Sequence, residues 1–499
     1  MFKSVSSNWI RMFVSIGVVF MLTPFLFRRL GDEGYGQWSL INAFVGNLSL
    51  LIMGVPMASV HFMTGAVGRN DATALNRAIA TCLGVYLGLG LLAILTGGAL
   101  FAWYIWGYPV PESMQDGARM AFLVMVVGSG IGFALQLPYG IIVAHHDFGL
   151  YNKILIIGIV MRFGLTLALM SLTDSLPLLA VIPVFTTLFE AGVAVMVIRK
   201  RYPEVRLNMQ AFDRTTVKTI FGFSVFVLLI NLGSRLAFQI DGMVIGAYRP
   251  AEDVGIYNFG NQFMVYLMEI ILGIANVVMP LASRLHAQNR EHELRGVFLR
   301  WSKAALTIVL GVGLYLLVLG PEFLGWWVGE AVQERAGEVL QILTISFIIY
   351  LPLRGVAMPA LSGLGQIKSS ALLLLGMGAL NLLLSLILVQ PYGLRGVALG
   401  TAIPNVLFAV VMLLIACKRL KVGVGEWLAY VAWKPLLSAV PMLGLLLWMK
   451  LGIGIHGIVA LVLAGIAHCV LFGLLEVFWV YRKDPYFDPW KRFRSKPEP

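Results

Sequence analysis

Charged side chains are what this 499-residue chain has least of: Asp, Glu, Lys and Arg make up 12% of it, against about 25% in a typical soluble domain. That scarcity, beside 59% apolar residues, excludes a soluble enzyme and a disordered chain. It also excludes a nucleic-acid-binding domain, although the formal net charge is +12. Cysteine is nearly absent: Cys82, Cys417 and Cys469 lie within or at the edge of apolar runs, so there is no disulfide framework. Long polar loops are missing too, the longest interval between apolar runs being about twenty residues, too short for a separate domain. Without such a loop, and without an Asp-x-Asp motif, a membrane glycosyltransferase or polysaccharide ligase has nowhere to place its acids. His145-His146 are adjacent and cannot converge on one metal from a helix, and no Cys/His cluster supports them. No metal and no cofactor is expected.

What the chain does have is apolar runs of bilayer-spanning length from end to end. Windows of about 19 residues give fourteen expected spans. They lie near 8–28, 38–60, 78–103, 118–143, 153–172, 176–198, 219–246, 257–282, 303–320, 337–360, 369–390, 394–417, 434–450 and 455–481. The first is longer than a signal-peptide core, contains Arg11 and lacks a small-x-small cleavage site, so it is expected to remain as a span. The fold class is therefore an all-α polytopic membrane protein of about fourteen helices. With the N-terminus inside, 27 of the 37 Lys and Arg fall on the cytoplasmic side and seven on the other. This bias predicts that both termini are cytoplasmic. Trp103, Tyr104, Trp106, Tyr108, Trp326 and Trp327 read as an aromatic belt at the outer interface.

The chain repeats itself. Glu33-Gly34-Tyr35-Gly36 and Glu252-Asp253-Val254-Gly255 stand 219 residues apart, as do Arg199-Lys200 and Lys418-Arg419. Pro56-Met57-Ala58-Ser59 and Pro280-Leu281-Ala282-Ser283 are 224 apart, and Ile182-Pro183 is matched by Ile403-Pro404. Recurring in order at nearly constant spacing, these matches predict two six-helix halves. The expected organisation is a bundle over 1–201, a basic linker over 202–218, a second bundle over 219–421, and two further helices with a basic tail over 422–499. An even number of spans per half makes the repeats parallel, and in such transporters cargo sites lie between them.

The arginine-bearing first helix with Arg29-Leu30-Gly31 and Gly34-Tyr35-Gly36 resembles the polysaccharide-export branch of the multidrug/oligosaccharidyl-lipid/polysaccharide exporter superfamily. So does the stretch Asp241-Gly242-Met243-Val244-Ile245-Gly246 leading into Val254-Gly255-Ile256-Tyr257. The resemblance implies two bundles forming a V around a central cavity that opens alternately to each side. It implies a flippase moving undecaprenyl-diphosphate-linked repeat units of O-antigen or exopolysaccharide across the bacterial inner membrane. A polysaccharide polymerase and a chain-length regulator are the partners such a system would have.

Charge inside a bilayer is costly, so each intramembrane ionisable residue is a functional candidate. The basic ones are Arg11, Arg162, Arg235 and Arg354. An arginine fork donates paired hydrogen bonds to a diphosphate and stays charged when buried; on the resemblance, Arg11 and Arg235 face the central cleft. Arg11 could instead snorkel to the interface, and Arg235 could pair with Glu269 at the matching depth of the next span. Glu190, Asp241 and Glu269 are the candidates for coupling to H⁺ or Na⁺, while Glu476 is expected at the interface. Gln136, Asn231, Gln239, Asn261 and Gln262 are candidate sugar contacts, interhelical bonding being their alternative use. Two transporter alternatives stay open: a drug/cation antiporter of the same superfamily, and a peptidoglycan-precursor flippase. The enzyme alternative is a membrane polymerase or ligase.

Overall fold

The computed structural model describes residues 2–52, 54–108, 110–206, 209, 211–213, 217, 232–455, 457–482 and 484–486. Most of the first half of the expected seventh span, Asn231, parts of the 202–218 linker and the end of the tail lie outside the described residues. Among the described residues there is no β-strand.

Among the described residues, eleven helices are long and apolar enough to cross a membrane. Two of them, Ile10–Gly68 and Lys368–Leu420, each hold two of the expected spans. With the first half of the seventh span outside the described residues, the fourteen-span reading is consistent with the structure. Large apolar side chains such as Leu95, Leu172 and Val459 stand exposed over these helices. Apolar surface on that scale fits contact with lipid.

In chain order the helices are α1 (Phe2–Asn47), α2 (Val55–Gly68), α3 (Ala72–Gly107), α4 (Gln115–Ala134), α5 (Gln136–Ala144), α6 (Phe148–Leu172) and α7 (Leu176–Arg201). After helical residues 232–238 come α8 (Asp241–Tyr248), α9 (Ala251–Ala287), α10 (Glu291–Trp327), α11 (Glu330–Pro352), α12 (Met358–Gly363), α13 (Ile367–Leu420), α14 (Trp433–Trp448) and α15 (Gly457–Leu475). Two compact units result. One is Met1–Arg235 with Ile245–Gly255, and the other is Leu236–Val244 with Ile256–Pro499.

Local chemistry sets the helix ends. Asp71 accepts a hydrogen bond from Ala74 N at 2.8 Å and starts α3, and Asp147 accepts from Leu150 N at 3.3 Å and starts α6. Ser175 does the same for Leu178 N at 3.4 Å, with Pro177 in the first turn of α7. Several spans expected to be continuous are broken instead. The second passes through a 3₁₀ turn at Leu48–Ile52 and resumes after Gly54, whose φ of 85° lies in the left-handed region. The fourth is divided at Leu135, three residues before Pro138. The tenth loosens into a π turn at Leu353–Ala357 between Pro352 and Pro359. Proline removes a donor and glycine relaxes φ, so these positions are where a spanning helix gives way.

The first unit packs around Ile52, Met63, Ile79, Tyr86 and Ile141. Arg29, in the motif after the first span, ties α1 to the end of α6. Its Nε donates to Met170 O at 2.8 Å and its Nη2 meets Asp174 at 3.0 Å. At the next turn of the motif the repeated glycines meet. A Cβ on Gly36 would collide with the backbone of Ala251 and Glu252. One on Gly255 would stand 3.1 Å from the Tyr35 ring and 3.7 Å from Gly36 Cα. Here glycine is required by the close approach of two backbones. His145 and Asp147 form a structural clasp. The imidazole stacks on Tyr202 at 4.0 Å, and Asp147 meets Arg201 at 2.9 Å.

In the second unit α10 and α11 pack closely, with Gly337 against Pro321 and Gly260 of α9 against the Ala336 carbonyl. The two helices beyond the repeat are fastened to α10 by a buried polar network. Lys303 Nζ donates to Asp484 at 2.5 Å and to Val480 O at 3.1 Å, and lies 4.7 and 4.9 Å from the Tyr430 and Tyr481 ring centroids. Glu476 accepts from Ser438 at 2.5 Å and Thr307 at 3.1 Å. The sequence left open what would surround the carboxylate of Glu476. Its side chain is buried in this network because hydroxyls of α10 and α14 supply the hydrogen bonds water would otherwise provide.

Candidate functional site

Arg162 with Glu190 in the first unit, and Asp241 in the second, each anchor a polar centre within the apolar helices. In the first, Arg162 of α6 faces α7. Its Nε donates to Thr186 Oγ1 at 3.3 Å, and its charge interacts with that of Glu190 one helical turn further along. Glu190 is buried, accepts from Tyr139 of α5 at 3.2 Å, and fills the space left by Gly158, where any Cβ would clash with the carboxylate. A cation, its counter-charge and a phenol thus occupy the junction of three helices. Arg11 is bound on the neighbouring face of α6, its Nε donating to Asn152 Oδ1 at 3.1 Å. Arg235 turns its Nη1 onto the Gly46 carbonyl at 2.7 Å, an acceptor beside the break in the second span. Its Nε is buried and without a partner.

In the second unit Asp241 opens α8, directly after a break at Gln239–Ile240. The carboxylate is buried, and Oδ2 accepts from Tyr257 at 2.6 Å and Thr401 at 3.0 Å. Oδ1 has no hydrogen-bond partner. Thr401 in turn accepts from Asn381 Nδ2 at 2.8 Å, and the same amide reaches Ala237 O at 3.1 Å. Asn381 Oδ1 and Ser385 Oγ are buried without partners. No ion pair reaches Asp241 among the described residues. Arg354 sits in the π turn of the tenth span, half-buried, with its Nε unpartnered.

Of the predicted residues, the structure brings Arg162 and Glu190 together and places Arg11, Arg235, Arg354 and Asp241 at the positions described. Glu269, Gln136 and Gln239 are exposed, and Asn261 and Gln262 are half-buried on α9. Sequence reasoning missed Tyr139, Thr186, Tyr257, Asn381 and Thr401, each a polar residue within a span. The signal was available for Asn381 and Thr401, which interrupt otherwise apolar stretches in the eleventh and twelfth spans. A cavity of about 610 Å³ in the first unit, lined by Glu33, Gln37, Arg249 and Glu252 among others, contains none of the predicted residues. Among the described residues no group of three or more His, Cys, Asp or Glu is placed to hold a metal.

Residues 2–286 match the model of a family described as polysaccharide biosynthesis protein, and residues 227–387 match the MatE model. A Shigella flexneri protein named "Putative O-antigen transporter" is 22% identical over 401 residues, 78% of this chain and 91% of that one. Among solved structures, the lipid II flippase MurJ in an inward closed conformation superposes with a TM-score of 0.71 at 13% identity, over 95% of this chain and 98% of that one. An inward-facing multidrug resistance MATE family transporter superposes at 0.70 with 18% identity, over 82% and 94%. At these identities the two structures show a shared fold.

Proposed function

Because the chain belongs to the polysaccharide biosynthesis protein family, in the polysaccharide-flippase branch of the multidrug/oligosaccharidyl-lipid/polysaccharide exporter superfamily, we propose that it moves undecaprenyl-diphosphate-linked oligosaccharides from the cytoplasmic to the outer leaflet of the bacterial inner membrane. It is a multi-pass membrane transporter rather than an enzyme. The repeat units would serve O-antigen or exopolysaccharide assembly, delivered to a polymerase and a chain-length regulator. Two six-helix halves with cytoplasmic termini would perform alternating access.

The observation that carries this reading is the pair of guanidinium groups with unused donors in apolar segments, Arg235 and Arg354. A buried donor left unpaired is costly. A diphosphate offers several acceptors of the right charge, and arginine is suited to meet them. The lipid tail can remain in the bilayer, so only the head group needs shelter. Moving two negative charges outward through an inside-negative potential of about 100 mV releases roughly 4.6 kcal/mol. Transport therefore has a driving force before any ion is coupled. If a cation is coupled, Asp241 is the carrier we favour. Its Oδ1 and Asn381 Oδ1 are unused oxygens in one buried network, and Ser385 Oγ is a further buried oxygen without a partner.

The test is complementation of a flippase-deficient strain, with membrane insertion checked for each variant. Arg235→Ala abolishes complementation and Arg235→Lys restores part of it. An Ala variant that complements fully removes Arg235 from the cargo path. Asp241 gives the antiporter reading its one support, an acid in the seventh span. Uptake of labelled lipid-linked sugar or of a cationic drug in proteoliposomes, with and without an imposed Na⁺ or pH gradient, separates the two.

A further inference from the structure

A cavity of about 500 Å³ lies at the ends of α9 and α10 that the basic-residue bias places at the cytoplasmic face. Leu281, Leu285 and Val297 give it an apolar floor, and Arg295, Arg300 and Tyr486 line the remainder with Gly296, His292 and Glu293. Its charges are not equally committed. Arg295 is bound to Glu426 at 2.5 Å, and Glu293 is bound to Arg290 at 2.6 Å. Arg300 lies 5.6 Å from the Trp301 ring centroid and has no ion pair among the described residues. One uncommitted guanidinium therefore faces an apolar floor beside a tryptophan, a residue enriched where membrane meets water.

The opposite wall is held in place. Asp484 accepts from Lys303, from Tyr430 at 2.6 Å and from the Tyr486 backbone N at 3.0 Å. The Tyr486 ring meets Tyr430 edge-on at 5.4 Å and closes over Gly296, where a Cβ would stand 3.1 Å from it. The clasp that fastens the last two helices thus also positions the aromatic wall of the cavity.

We propose that this cavity binds the phosphate of an anionic membrane phospholipid from the cytoplasmic leaflet, separately from the transported cargo. Arg300 takes the phosphate, and Leu281, Leu285 and Val297 take the start of the acyl chains. Basic pockets between helices on the cytoplasmic side bind anionic head groups by this combination of charge and apolar contact. The proposal rests on the orientation read above but not on the cargo. Binding is measured without transport, so failure of the flippase reading leaves it standing.

The probes are phosphatidylglycerol and phosphatidylcholine, titrated onto the delipidated full-length protein and read by native mass spectrometry. Phosphatidylglycerol binds in preference. Arg300→Gln weakens it about tenfold, the loss of one charge-assisted contact, while Arg300→Lys keeps part of the preference. Gly296→Leu, which fills the cavity, also lowers binding, and inorganic phosphate does not compete. Unchanged phosphatidylglycerol affinity in a folded Arg300→Gln variant overturns the proposal. Displacement by inorganic phosphate overturns it in favour of a soluble anion. Should the variants fail to fold, a photoactivatable phosphatidylglycerol on the parent protein decides. Labelling within 281–300 supports the site, and labelling confined to other segments overturns it.

Discussion

The two intramembrane polar centres use similar residue types for opposite balances of charge. In the first unit Arg162 and Glu190 place opposite charges near each other without a direct ion pair, Arg162 donating to Thr186 and Glu190 accepting from Tyr139. In the second, Asp241 receives two hydroxyls and a linked amide but no cation among the described residues. A balanced pair is complete by itself and holds helices together. A lone carboxylate with an unused oxygen is complete only when a proton or metal cation arrives. The difference teaches that similar residues, costly to bury, can be satisfied in two ways: by opposite charge within the centre, or by neutral hydrogen bonds that leave an oxygen unused.

The largest effect should come from unbalancing the first centre. Arg162→Ala or Glu190→Ala leaves the opposite charge and a polar partner in an apolar junction without compensation, a loss of about 3 kcal/mol. It is read as a fall in thermal stability and in the yield of monodisperse protein. Arg162→Met combined with Glu190→Gln should recover most of that loss. A double variant no better than the singles would mean that the pair serves something beyond packing.

Next comes a balanced pair outside the membrane core. Burial alone would raise the Asp484 carboxyl pKa, but hydrogen bonds from Lys303, Tyr430 and the Tyr486 backbone outweigh it and hold the group below the usual carboxylate range. A depressed folded pKa stabilises above the ordinary value of about 4 and stops doing so as pH falls through the lower folded value. Asp484→Asn should therefore cost about 2–3 kcal/mol at neutral pH and remove part of the acid-induced loss seen in the parent. Thermal melts across pH provide the measurement.

Asp241→Asn should be milder for the fold and specific for function. Shape and most hydrogen bonds are retained, whereas any Na⁺ or H⁺ stimulation of transport drops about tenfold, near 1.4 kcal/mol. If this variant instead loses its fold as the Glu190 variants do, the contrast between the centres is broken. Smallest is Tyr257→Phe, which deletes one hydroxyl from Asp241 for about 1 kcal/mol. It should shift the pH dependence of transport more than the melting temperature.

Much of the fold was legible because lipid leaves the chain few choices. An apolar run of about 20 residues must become a helix, because lipid offers its backbone no other hydrogen-bond partners. Arg162, Arg235, Asp241 and Glu190 stood out for the same reason. Their partners did not. Tyr139 lies 51 residues from Glu190, and Asp241 lies 160 from Thr401. Which hydroxyl reaches which carboxylate depends on helix rotation, and a span's apolar composition is indifferent to rotation. Helix breaks were half legible. Gly54, Pro138 and Pro352 are visible as residues, but whether a proline kinks a span or divides it is decided by neighbours that satisfy the freed backbone groups.

The meeting of Gly36 with Gly255 sets a limit on substitution. Two stretches 219 residues apart in sequence approach so closely that neither has room for a methyl group: a Cβ on Gly36 would strike the backbone of Ala251 and Glu252, and one on Gly255 would crowd the Tyr35 ring. What Gly36→Ala meets is main chain, which cannot rotate out of the way as a side chain can. A change of side chain at a neighbouring position should therefore not rescue it.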